Sequence, residues 1–176
     1  MAPWAFRSAT VDRVTEPLPT HESSDPTLPT LEPLFRIVVR TSDTVHLGDT
    51  QSVATVVGGV LSGPGLEAVV RPSGAEHVRV RADGSAAYEI DLLADVDTDD
   101  ESAVVRLTLT GIRFGSAEVT EALDRGEDVD TALYYFRGTL AVSTSIRSLA
   151  YLNRAVVVTS GSRRGTDTIV DAFLVT

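Results

Sequence analysis

The chain has 176 residues, a formal net charge of -10, a pI near 4.6 and no cysteine. That length suits one domain with an appended tail, and the missing cysteines exclude disulfides, thiolate zinc sites and cysteine nucleophiles. The acidic balance opposes nucleic acid and anionic membrane as partners, because affinity for phosphates rests on Lys and Arg.

Residues 1–14 mix Trp4 and Phe6 with Arg7, Asp12 and Arg13, so they lack the continuous apolar core of a signal peptide. No later stretch reads as a membrane span, and a cytoplasmic protein is expected. Six of the eight prolines fall in the first 33 residues, among Thr, Ser, Glu and Asp. Proline removes backbone donors and favours extended chain, so residues 1–33 are expected to form a tail outside the core. Composition alone favours a solvated tail. Trp4 and Phe6 point instead to a segment that folds back as a lid or packs on a second subunit.

From Leu34 to the C-terminus the polarity alternates with the period of strands that have two unlike faces. Strand-like runs lie at Leu34–Arg40, Val53–Leu61 and Leu66–Arg71. His77, Arg79 and Arg81 alternate with Val78 and Val80, and Tyr88, Ile90, Leu92 and Ala94 alternate with Glu89 and Asp91. Residues 82–85 supply a turn between these two runs, which read as a hairpin. Val105, Leu107 and Leu109 share one face of the next run, after an acidic turn at 97–102. Ser116 is expected to cap one short helix that carries Glu118 in its first turn and stops near Gly126. Further runs follow at Leu133–Val142, Tyr151–Thr159 and Thr168–Val175. Many short strands without intervening helices indicate an all-β sandwich or closed barrel.

Several motifs fail on inspection. Gly63-Pro64-Gly65-Leu66-Glu67-Ala68 fits a dinucleotide fingerprint, but a strand follows where a helix is needed, so a sharp turn is expected. Asp95, Asp97 and Asp99 have calcium-loop spacing, yet Asp100 stands where glycine is required and Arg106 where glutamate is required. His21, His46 and His77 have no metal-binding spacing, and Ser62 is misplaced by one position for a nucleophile elbow. No metal or cofactor is implied.

What remains are single polar residues on otherwise apolar strands: Asp91, Arg113, Tyr134, Tyr135 and Asn153. A charge facing a barrel interior must be paired or shift its pKa. Asp91 lies among Ile90, Leu92 and Leu93, a setting expected to raise its pKa into the range useful for proton transfer.

At Gly58–Leu66, Pro72–Glu76, Tyr134–Arg137 and Tyr151–Arg154 the chain resembles a bacterial and fungal family, domain of unknown function 3237, over its whole length from Leu34. The resemblance implies a calycin-like or allene-oxide-cyclase-like antiparallel β-barrel, frequently dimeric, with a central cavity. It brings no settled activity. The family's Gly-Gly-Ala-Asp-Trp stands here as Ser73-Gly74-Ala75-Glu76-His77, which keeps an acid and loses the tryptophan. Its Asp-x-Arg-Tyr becomes Asp91-Leu92-Leu93-Ala94, and its Tyr-Ala-Trp-Leu-Asn becomes Leu149-Ala150-Tyr151-Leu152-Asn153. These changes imply a greasier and wider cavity.

With Leu93, Ala94 and Leu149 lining that space, the expected guest is an apolar, polyketide-like intermediate. The leading expectation is a cofactor-independent cyclase or isomerase, most sharply a [4+2] cyclisation, that works by holding its substrate in a reactive fold. Tyr134, Tyr135 and Asn153 would orient a substrate carbonyl, with Tyr151, Arg113, His77 and Leu93 also in contact. Trp4 and Phe6 would close the mouth, and Asp91 or Glu76 would act where a proton must move. An acid/base lyase or isomerase built on Asp91 and a non-catalytic carrier stay open beside it.

Overall fold

Period-two alternation of small and β-branched residues needs partners on both edges of each strand, and the chain supplies them by closing on itself. The computed structural model describes residues 27–97 and 103–176. Its strands are β1 (Leu31–Thr41), β2 (Val45–His46), β3 (Gln51–Gly63), β4 (Leu66–Val80), β5 (Ala86–Val96), β6 (Val104–Gly115), β7 (Tyr134–Thr144), β8 (Val157–Arg164) and β9 (Asp167–Val175). They run β1-β9-β8-β7-β6-β5-β4-β3, every pair antiparallel, and β3 returns to β1. The result is a closed eight-stranded barrel, with the two-residue β2 pairing on β3 outside the ring. Closure leaves no long strand edge unpaired.

β1 starts at Leu31, so Leu31, Glu32 and Pro33 already pair with β9, inside the stretch expected to be tail. Trp4 and Phe6 lie outside the described residues. The runs read separately at Leu66–Arg71 and from His77 onward are one strand, β4, in which Arg71, Pro72 and Ser73 form an irregularity where the register with β5 shifts. Gly74 takes φ +95°, and a Cβ there would run into the Asp91 carbonyl oxygen, so only glycine lets β4 approach β5 this closely. Between β3 and β4, Gly63-Pro64-Gly65 forms the expected sharp turn, with Gly65 at φ +72°.

The expected helix, α1 (Ala117–Asp124), is present: the Ser116 hydroxyl accepts from the Val119 N–H at 3.3 Å, and Leu123 is buried. A 3-10 helix spans Arg147–Arg154, where a strand was expected to begin at Tyr151. Leu149 and Leu152 decide this: three residues apart, they fall on one face of a 3-10 turn and both bury, while Tyr151 points outward. A second, single-turn 3-10 helix covers Thr131–Leu133. No helix among the described residues is long and apolar enough to cross a membrane.

The interior has two unlike halves. Toward the end that carries the β3–β4 turn and the longer 3-10 helix, Leu61, Val70, Leu92, Ala94, Leu107 and Leu152 are almost fully buried and fill the barrel. An eight-stranded barrel is just wide enough for such filling. Toward the other end, bordered by residues 42–50, the β4–β5 turn and α1, the inward positions become Glu76, Arg113, Tyr134 and Arg163.

Candidate functional site

β4, β6 and β8 each place one charged side chain inward near this second end. Strand parity explains why. Arg113 continues the inward series Val105, Leu107, Leu109 and Gly111 on β6, and Arg163 continues Val157, Thr159 and Gly161 on β8. Glu76 sits at the next inward position of β4 beyond its irregularity and is 3% exposed.

Arg163 Nη1 donates to both carboxylate oxygens of Glu76, at 3.1 and 3.0 Å. The Tyr134 hydroxyl accepts from the backbone N–H of Arg163 at 3.1 Å, fixing the strand that carries the pair. Arg113 has Asp124 of α1 as its ion partner, at 3.8 Å, and that carboxylate is largely exposed. Burial, and after it the neighbouring Arg163, push the Arg113 guanidinium below its ordinary pKa. One layer deeper, Tyr88 meets Phe136 edge to face at 4.7 Å between ring centroids, and burial pushes the Tyr88 phenol up.

The three charged groups open on a cavity of about 690 Å³ at the barrel mouth. Glu76, Arg113 and Arg163 border it together with an apolar wall of Ala54, Val78, Ala86 and Leu123. Such a chamber admits a small molecule with an apolar body and a polar head. A larger depression, about 1230 Å³, crosses the outer face of the barrel past His77, Glu89 and Tyr135. His77, Glu89, Thr110, Arg137 and Thr139 stand there on the solvent side of the strands, whereas the buried charges gather at the mouth, which is therefore the better candidate. Among the described residues no group of three or more His, Asp or Glu is placed to hold a metal ion.

The sequence-derived site residues divide accordingly. Glu76, Arg113 and Tyr134 come together at the mouth. Asp91 does not face the interior: it lies on the outer face, where Arg106 Nε and Nη2 bind its two oxygens at 3.0 and 2.9 Å and the Thr108 hydroxyl donates at 3.2 Å. The hydrogen bond from Arg106 holds its carboxyl below the usual range, the reverse of the elevation expected. Leu93 shares that outer face, because its neighbours Leu92 and Ala94 take the inward positions. The greasy cavity expected around Leu93, Ala94 and Leu149 is therefore corrected: Ala94 and Leu149 are buried in packed core, and Leu93 points away from it.

His77 and Tyr135 also point outward, and Tyr135 stacks on Phe114 at 5.0 Å with the Arg137 guanidinium 5.6 Å from its ring. Asn153 is structural: its side-chain oxygen accepts from the Thr144 N–H and its amide donates to the Thr144 carbonyl, both at 2.9 Å. Tyr151, beside it, is exposed at the far end of the barrel. Arg163 was not singled out from the sequence. Its inward parity on β8 was the available signal, but Arg164 beside it gave the segment the look of a solvated basic turn.

Comparison with known proteins gives a consistent placement. A UPF0311 protein of Rhodopseudomonas palustris is 31% identical over 153 residues, covering 84% of this chain and 98% of the relative. The crystal structure of that protein, described as conserved and of unknown function, superposes with a TM-score of 0.78 over 85% of this chain and all of the other. A β-barrel-like protein of Acinetobacter baumannii is 31% identical, with a TM-score of 0.73 over 88% of this chain and all of its own. An enzyme of Penicillium herquei shares the fold, with a TM-score of 0.60 at 18% identity over 88% of this chain and 99% of its own. The model of the family described as "protein of unknown function (DUF3237)" matches residues 29–175. The chain, matched over nearly the whole of its barrel, belongs to the DUF3237 family.

Proposed function

We propose that the chain is a cofactor-independent isomerase or cyclase that moves a proton on a small carbonyl compound held in the mouth cavity. One observation carries this reading: two arginines and a glutamate, with side chains no more than 14% exposed, converge on a cavity large enough for a ligand. Charges withdrawn from water are costly unless they are used or paired, and they gather at functional sites. The enzyme from Penicillium herquei lends support only in showing that this fold can house catalysis.

In this reading Glu76 takes a proton from the carbon next to the substrate carbonyl. The C–H bond breaks, an O–H bond forms on Glu76, and the electron pair enters the carbonyl as an enolate. Arg163, whose partner has just been neutralised, then faces the new negative charge, so the net charge of the site is unchanged through the step. Return of the proton to a different carbon gives the isomer and restores the Glu76–Arg163 pair. Tyr134 holds the strand that carries Arg163. The Ala54, Val78, Ala86 and Leu123 wall receives the apolar body of the substrate.

A [4+2] cyclisation in a wholly apolar chamber has less support, because the aliphatic half of the barrel is filled with side chains. The test is deuterium exchange of a β,γ-unsaturated ketone in D2O, followed by NMR. Exchange by the native chain is expected to exceed that of Glu76→Gln by about a hundredfold, the usual scale of general base catalysis. Equal rates in two folded proteins would end this reading.

A further inference from the structure

We propose that Arg113 is the recognition site for a singly charged carboxylate on the substrate, so that the mouth selects a small oxo-carboxylate with an apolar body. This rests on the mouth being the reaction chamber, and it adds the chemical class of what enters. Three features of the cavity lead to it.

The first is charge. Arg113 and Arg163 contribute two positive charges to the inner wall and Glu76 one negative, which leaves one positive charge over. Arg163 is committed to Glu76, through a single nitrogen that reaches both oxygens. The unbalanced cation is therefore Arg113. Asp124 offsets it weakly, since it stands 3.8 Å away with its side chain 64% exposed to water. One monovalent anion neutralises these three inner groups, whereas a dianion overshoots them; nearer the entrance the lining adds Asp43, Asp49, Asp124 and Arg125.

The second is hydrogen bonding. A guanidinium has five N–H donors in a planar fork. Among the described residues no side chain or backbone carbonyl accepts a hydrogen bond from the Arg113 fork, although its side chain is only 13% exposed. Its fork lines the cavity and is open to a ligand there, whereas the guanidinium nitrogen that is sealed off without a partner is Nε of Arg163. A carboxylate is the planar acceptor that a fork fits with two parallel bonds, and a neighbouring oxo group could take a further donor and bring its adjacent carbon toward Glu76.

The third is the surroundings. Ala86 pairs directly with Arg113 across β5 and β6, and Val78 and Ala54 lie beyond it on the cavity wall. Small apolar side chains beside the fork keep water from competing with the anion, and they suit an aliphatic or aromatic body more than a sugar or a nucleotide. The acidic residues at the entrance, Asp43, Asp49 and Asp124, add to this discrimination by opposing multiply charged ligands.

The test uses titration calorimetry of the full chain with benzoate, benzamide and inorganic phosphate as probes. Benzoate is expected to bind at least about tenfold more tightly than either, and Arg113→Gln is expected to remove that preference while Arg113→Lys keeps part of it, as a point charge does where the fork is lost. Circular dichroism reports whether each variant folds. The comparison of benzoate with benzamide on the native chain stands even where a variant does not. Benzamide binding as well as benzoate, phosphate binding more tightly, or full benzoate affinity in folded Arg113→Gln would each overturn the proposal. Benzoate selectivity without deuterium exchange would leave carboxylate recognition in place and remove the proton-transfer reading. Exchange that persists in Arg113→Gln with unchanged KM for an oxo-carboxylate would do the opposite.

Discussion

Glu76 and Arg163 meet across the barrel from opposite walls. β4 and β8 stand four places apart in either direction around the ring of eight, and the two side chains join at 3.0 and 3.1 Å near its axis. Arg113, on β6, sits midway between them. The pair therefore acts as a strut that braces the mouth while holding a charged group in the chamber. Two requirements, stability and chemistry, fall on the same residues.

Breaking the strut on one side leaves a buried charge without its partner. Glu76→Leu is expected to cost about 3 to 5 kcal/mol in urea unfolding, whereas Glu76→Leu with Arg163→Leu recovers most of the loss, because removing both charges also removes their desolvation cost. A double variant as unstable as the single one would show that Arg163 is supported by other groups.

Asp91 behaves as an outer-surface residue. Its carboxyl, with that of Asp171 beside Arg36, is held below the usual value, in each case chiefly by the hydrogen bond from the arginine. A depressed folded-state pKa adds stability above the unfolded value of about 3.9, and that stability is lost as pH falls through the folded value. Melting temperature should therefore drop below about pH 4, and less steeply in Asp91→Asn. At pH 7 the same substitution should cost no more than about 1 kcal/mol, since the pair is solvent-screened, and it should leave deuterium exchange unchanged.

Gly111 makes room for Tyr88. A Cβ at Gly111 would strike both the Tyr88 hydroxyl and the Arg137 carbonyl oxygen. Gly111→Ala is expected to destabilise the barrel by about 1 to 3 kcal/mol, the usual cost of overpacking. Adding Tyr88→Phe should recover little of this, because the ring carbon Cζ and the Arg137 carbonyl oxygen both remain in the way. Thermal unfolding of the two variants distinguishes the contributions.

Asn153 secures the far end by closing both backbone polar groups of Thr144 into hydrogen bonds. Asn153→Ala should cost about 1 to 2 kcal/mol and leave benzoate affinity intact, since it acts at the end opposite the mouth. A fall in affinity at constant fold would tie the two ends together.

The N-terminal segment gives a paired comparison. Thr30 and Thr176 exchange backbone hydrogen bonds at 2.8 and 3.0 Å, and Leu31–Pro33 pair with β9. A chain starting at residue 34 should therefore melt lower than one starting at residue 27. Covering of the mouth by Trp4 and Phe6 is a separate matter. Leu31 enters at the end away from the mouth, and the eleven residues of β1 separate it from that opening by about 33 Å along the tilted strand. Loss of exchange on deleting residues 1–26 would support a lid that spans this distance.

Much of the architecture was legible in the chain. Alternation placed most strands, turn residues at 63–65 and 82–85 placed two hairpins, and Ser116 marked the start of α1, because each of these is a local preference of the backbone. Alternation also sorted side chains into two faces: Glu76 and Val78 on one, His77 and Arg79 on the other. It does not say which face a closed sheet encloses when both carry apolar residues. On β5, Leu92 and Leu93 have equal claims on the core, and the ring put Leu92 inside and Leu93, with Asp91, outside. Nor does it say what lies across the interior. Glu76 and Arg163 are 87 residues apart in the chain, and only closure of eight strands made them opposites on one diameter. The sequence by itself determined an all-β domain of antiparallel strands with two unlike faces; that the sheet closes into a barrel, and which charges it encloses and joins, was decided by the order in which its strands paired.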